Sequence, residues 1–112
     1  MLRGVFGPSK AQLIRQMRST DNRMALKAIE KLKANGWFRD GSLQGVELQG
    51  ANLQGGALAR ANLEGATLQR ANLSRAYLGE TNLRSAAMQE VILRDANLRQ
   101  VVLLAANLEG PI

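Results

Sequence analysis

From position 43 every fifth residue is apolar and long. The series runs Leu43, Leu48, Leu53, Leu58, Leu63, Leu68, Leu73, Leu78, Leu83, Met88, Leu93, Leu98, Leu103 and Leu108. Two residues before each centre stands a small or β-branched residue, such as Gly41, Val46, Ala51, Gly56, Ala61, Thr81 or Val101. The residue just before the centre is Asn at 52, 62, 72, 82, 97 and 107. Period five fits neither ordinary element. On an α-helix five residues advance about 140°, which scatters the leucines around the cylinder. On a straight strand an odd spacing sends successive leucines to opposite faces. The chain must therefore turn once per repeat. A turn of about a quarter per pentapeptide points every centre inward, together with the residue two before it. Four pentapeptides then close a square coil, and the next coil stacks on it through backbone hydrogen bonds. The fourteen repeats over 41–110 make 3.5 coils, a stack only ~17 Å tall at the usual spacing between strands.

The first forty residues follow a different pattern. Ser9 is placed to N-cap a helix reaching about Ser19, with Leu13, Ile14 and Met17 along one face. Thr20-Asp21-Asn22 supplies turn and N-cap chemistry for a second helix reaching Ala34. Its stripe is Ala25, Ile29 and Leu32, with Leu26 beside it. Asn35-Gly36 is a helix stop, with Gly36 suited to the left-handed position beyond the C-cap. Two short helices with narrow stripes need a surface to pack on, and a solenoid needs its ends covered. The pattern therefore predicts an N-terminal helical cap over 1–40, a repeat solenoid over 41–110 and a short tail, 111–112. Trp37 and Phe38, at the junction, are expected to complete the cap. Nothing comparable follows Leu108.

Motifs such as Ala51-Asn52-Leu53-Gln54-Gly55, Ala61-Asn62-Leu63-Glu64-Gly65 and Ala71-Asn72-Leu73-Ser74-Arg75 resemble the pentapeptide-repeat family. The resemblance covers 70 of 112 residues. It implies a mainly β fold, a right-handed quadrilateral β-helix; the two-helix segment lies outside the family pattern. The best-known activity of that family is mimicry of duplex DNA by an acidic solenoid that inhibits DNA gyrase. This solenoid departs from that pattern, since residues 41–112 carry six arginines and six acids. A short, net-neutral stack does not encode an anionic rod.

Charge changes the picture at the other end. Lys and Arg total 15 and Asp and Glu total 9, and the whole net charge of +6 lies in residues 1–40. Arg15, Arg18, Arg23, Lys27, Lys31 and Lys33 form a candidate basic surface. It offers phosphate neutralisation, but no aromatics are interleaved for base stacking. Binding of nucleic acid or an acidic surface is therefore the alternative function. Residues 1–20 hold Arg3, Lys10, Arg15 and Arg18 and no acid, and they read as part of a basic amphipathic helix of a cytoplasmic protein. No run approaches the roughly 18 apolar residues of a membrane span.

The chain contains no Cys and no His. That excludes thiolate and imidazole catalysis, disulfides, and sites ligated by Cys or His. No phosphate loop or nucleophile–base constellation is present, so neither an enzyme, nor a cofactor, nor a metal is expected. The last coil breaks the polar rule of the walls. Ile92, Val102 and Leu104 stand at outward positions that elsewhere hold Asn, Gln, Arg or Glu, and Ile112 follows at the tail. Exposed apolar patches and sheet edges invite association. The expected function is a protein-interaction or scaffold module that forms a homodimer through its C-terminal end, as relatives in the resembling family do.

Overall fold

A computed structural model describes residues 7–110. Two helices open it, α1 (Lys10–Met17) and α2 (Asn22–Ala34). Ser9 caps α1, its Oγ accepting from the Gln12 N–H at 3.1 Å. The Asp21 carboxylate caps α2 by accepting from the Arg23 N–H at 3.1 Å. Helix α1 ends two residues earlier than the sequence pattern predicts. The Asp21 N–H turns back to the Ser19 Oγ at 2.9 Å, a local bond that competes with continued helix. Helix α2 ends in a Schellman motif. Trp37 N–H donates to the Leu32 carbonyl, Gly36 N–H to the Lys33 carbonyl, and Gly36 sits at φ +78°.

Beyond Phe38 the chain is a β-helix-type solenoid with a coil of twenty residues. Parallel bridges join each wall residue to the one twenty positions on, from Glu47 with Thr67 to Ala87 with Asn107. A mainly β expectation needs qualifying here. Among the described residues each β element is one bridging residue wide, because a turn follows every centre. The coils are nonetheless fully laced. Leu53 N–H donates to Asn72 O, Gly55 N–H to Ser74 O, and Asn72 N–H to Ala51 O, at 2.8–2.9 Å. That pattern recurs in the following repeats.

The fifth residue of each repeat carries the turn. It lies at positive φ in all fourteen repeats, as Gly45, Gly50, Gly55 and Gly65 early in the solenoid. Nine non-glycine residues from Arg60 to Ala105 adopt the same conformation, with φ between 56 and 66°. The Asn before the centre braces the turn. Its Oδ1 accepts from the N–H two residues on at 52, 62, 72, 82, 97 and 107.

The centres from Leu43 to Met88 are no more than 1 % exposed, and the small positions between them are buried. Thr81 is the one buried polar residue among the described residues, and its Oγ1 donates to the Leu58 carbonyl at 2.8 Å. Leu13 and Met17 of α1 and Ala25, Ala28, Ile29 and Leu32 of α2 join the same core. The helical segment meets the first coil through backbone groups as well. Asn52 N–H donates to Ser19 O and Asn62 N–H to Phe38 O. In later coils the same N–H takes a carbonyl of the preceding coil, as Asn72 takes Ala51. Asn22 Nδ2 completes the join by donating to the carbonyls of Asn52 and Gln54.

Candidate functional site

The walls of the early coils are polar and self-satisfied; the last coil is neither. Leu93, Leu98, Leu103 and Leu108 are only half-buried, whereas the ten centres before them are sealed. Outward from the same coil stand Ile92, Val102 and Leu104, at 42, 44 and 64 % exposure. Ile112, the fourth residue of the expected apolar patch, lies outside the described residues.

Backbone groups point the same way. In each earlier coil the centre's N–H donates to a carbonyl nineteen residues on, as Leu83 does to Val102 and Met88 to Asn107. The N–H groups of Leu98, Leu103 and Leu108 have no such backbone partner among the described residues. Neither do the carbonyls of Ala96, Val101 and Ala106, which correspond to the acceptors Ala76, Thr81 and Ala86 one coil earlier. This end therefore offers donors, acceptors and apolar side chains together. Such an edge can accept another backbone while burying leucine and valine. Each side chain so buried contributes roughly 1.5–3 kcal/mol before the cost of association.

The family model for pentapeptide repeats, with eight copies, matches residues 47–84 and 76–110, more than half of the chain. The chain belongs to the pentapeptide-repeat family. A pentapeptide repeat protein of solved crystal structure, from Nostoc Pcc 7120, is 31 % identical over 70 % of this chain and 74 % of that chain, with a TM-score of 0.31. No curated protein matches. Pentapeptide-repeat proteins are generally interaction or scaffold modules and generally non-catalytic.

In this pentapeptide-repeat chain the six basic residues Arg15, Arg18, Arg23, Lys27, Lys31 and Lys33 are all exposed, but they do not share one surface. Arg23, Lys27 and Lys31, one helical turn apart, line a groove of about 660 Å³ with Gln16, Met24, Leu26 and Ala28. Arg18 turns to Glu47 at 3.6 Å. Lys33 faces a different cleft, and Arg15 lines neither. Sequence reasoning missed Met24, which is 45 % exposed beside these cations. Its i−1 and i+3 neighbours, Arg23 and Lys27, were the available signal.

At the junction Phe38 is buried against the core and Trp37 is half-buried. The Lys10 ammonium sits 5.2 Å from the Trp37 ring centroid, a cation–π contact. Asp40, just beyond, holds its carboxyl below the ordinary range through hydrogen bonds from Ser42, side chain and backbone. Tyr77 is exposed on a wall above Ala57, its bridge partner. Gln49, Gln69 and Gln89 stand twenty residues apart in one wall column, with no hydrogen bond between them among the described residues. Gln49 Oε1 instead accepts from Thr67 Oγ1, and Gln89 Oε1 is buried without a partner. The Arg60–Glu80 stack does form an ion pair, at 3.6 Å. Among the described residues no helix is long and apolar enough to cross a membrane.

Proposed function

We propose that this chain is a non-catalytic protein-interaction module that pairs with a second copy through its last coil. One observation carries the reading. Half-buried Leu98 and Leu103 adjoin exposed Val102 and Leu104 on an edge whose backbone groups lack partners among the described residues. Two copies meeting there through a twofold axis would each present the same patch, which closes the assembly at a dimer. In this reading α1 and α2, with Trp37 and Phe38, seal the opposite end, and one stacking face remains. The right-handed, four-sided path implied by the family completes the proposed architecture.

Size exclusion with light scattering tests the proposal. The wild type is expected near twice 12.2 kDa, and a Val102→Arg/Leu104→Glu variant at the monomer mass. A monomeric wild type contradicts the reading.

The second reading is polyanion binding along α2. The shared groove of Arg23, Lys27 and Lys31 favours it, and the lack of an aromatic in that groove weakens it. It predicts binding to duplex DNA that falls steeply with salt and is lost in an Arg23→Gln/Lys27→Gln/Lys31→Gln variant.

A further inference from the structure

A cleft of about 630 Å³ runs from the end of α2 down one corner of the solenoid. Lys33, Gly36 and Arg39 line its top, and the stacked pairs Ala59–Arg60, Gly79–Glu80 and Arg99–Gln100 line its length, with Asn97 at one edge. Its origin is legible in one column. The fourth residue of a repeat is usually Gln, Glu or Arg, but at 59 and 79 it is Ala and Gly. No backbone constraint demands glycine there. Gly79 is not at positive φ, and a Cβ on it would touch only the Arg99 carbonyl at 3.7 Å, an ordinary contact. The missing side chain opens the recess and serves no turn.

Charge in the cleft is one-sided. Four cations face it (Lys33, Arg39, Arg60 and Arg99) against the single carboxylate of Glu80. Arg60 is paired with Glu80, and none of the other three forms an ion pair among the described residues. The nearby helix end does not compete for them. The Lys31, Leu32 and Lys33 carbonyls are already taken by Asn35, Trp37 and Gly36.

We propose that this cleft binds an extended acidic peptide segment of a partner protein. The occupant must be anionic because three cations lack counter-charges. It must be extended, because the corner from residue 60 to residue 100 spans two coil spacings, about 10 Å, with Lys33 and Arg39 beyond; that is three or more residues of extended chain. A peptide is favoured over a phosphate backbone by Glu80, Asn97 and Gln100. Glu80 opposes any anionic group, but only a peptide backbone brings N–H donors that its carboxylate can accept, and the two amides offer both donors and acceptors. Arginine at two or more points adds bidentate recognition of carboxylates. The small floor at Ala59 and Gly79 lets a backbone come close.

The test is fluorescence anisotropy with a labelled hexaglutamate peptide at low salt, with hexathymidylate as the comparison anion. Binding of the peptide, weakened by added salt, is expected. An Arg39→Gln/Arg99→Gln variant should weaken it roughly tenfold. Gly79→Gln should weaken it comparably by filling the floor, and this backbone tolerates that substitution. Arg23→Gln/Lys27→Gln, on the other groove, should leave it unchanged, as should the Val102→Arg/Leu104→Glu variant. The last control separates this inference from the dimer. The proposal is overturned if hexaglutamate does not bind, or if neither cleft variant alters its binding. It is overturned equally if hexathymidylate binds more tightly and is the ligand displaced by Gly79→Gln.

Discussion

Arg60, Arg70, Arg75, Glu80, Ser85, Glu90, Asp95, Gln100 and Ala105 all hold the left-handed conformation that L-residues avoid. Each stores of order 1 kcal/mol of backbone strain, which the lacing between coils overrides. Glycines at 45, 50, 55 and 65 in the same register were the sequence signal for this turn, and later repeats hide it under charged side chains. Gly55 isolates the effect, since a Cβ there meets nothing within 4 Å. A Gly55→Ala substitution should lower the unfolding free energy by about 1–2 kcal/mol in urea titration, from backbone strain alone. Thr81→Val removes one buried hydrogen bond but leaves the Leu58 carbonyl its bond from Ala61 N–H. It should cost about 0.5–1.5 kcal/mol in the same assay. The Asp40 carboxyl, held down by Ser42, is depressed in the folded state. Its contribution is therefore present above the unfolded-state pKa and lost as pH falls through the lower folded value. Carboxyl NMR titration of wild type and Ser42→Ala should show Asp40 returning upward toward the ordinary range in the variant.

At the scale of the element, the leucine series was readable because one period excluded both helix and strand. The inward positions followed from it, and a coil of four repeats also sets the twenty-residue stacking of wall residues, Asn52 on Asn72 and Tyr77 on Ala57. Less readable was how the helices join the coil. No local pattern announces that Ser19 O and Phe38 O take the N–H groups of Asn52 and Asn62, or that Asn22 reaches Gln54. These are contacts across some thirty residues and depend on the docked geometry. The cleft was hidden for a related reason: Ala59 and Gly79 look like ordinary small residues until twenty-residue stacking aligns them with Arg99 and the junction brings Arg39 to the same cleft. Gly56 marks the join most sharply. A Cβ there would lie 3.2 Å from Ile29 Cδ1 and 2.9 Å from the Leu53 carbonyl. Beyond Gly41 at the first repeat, Ala, Val or Thr fills this register, so the helix contact is what distinguishes position 56. Gly56→Ala should therefore destabilise, and combining it with Ile29→Val should recover part of the loss. A double-mutant cycle by thermal unfolding measures that coupling. Strict additivity would mean that α2 does not press on the coil at Gly56.

At the scale of the whole molecule, the two ends are unequal. One end carries two amphipathic helices whose apolar stripes enter the common core. The other carries half-buried leucines and a backbone edge without partners among the described residues. The sequence exposed this asymmetry through Ile92, Val102 and Leu104, because no other outward wall position of the repeats holds a large aliphatic residue. It could not specify the unpaired edge amides, which depend on the direction of every hydrogen bond between coils. The measurement that reaches the central claim most directly is amide hydrogen exchange of the wild type across a hundredfold range of protein concentration. Self-association through the last coil predicts that the Leu98, Leu103 and Leu108 amides gain protection as concentration rises, while those of α2 do not change. Exchange at these leucines that is fast and independent of concentration, or protection that builds instead along Arg23 to Lys31, would contradict it.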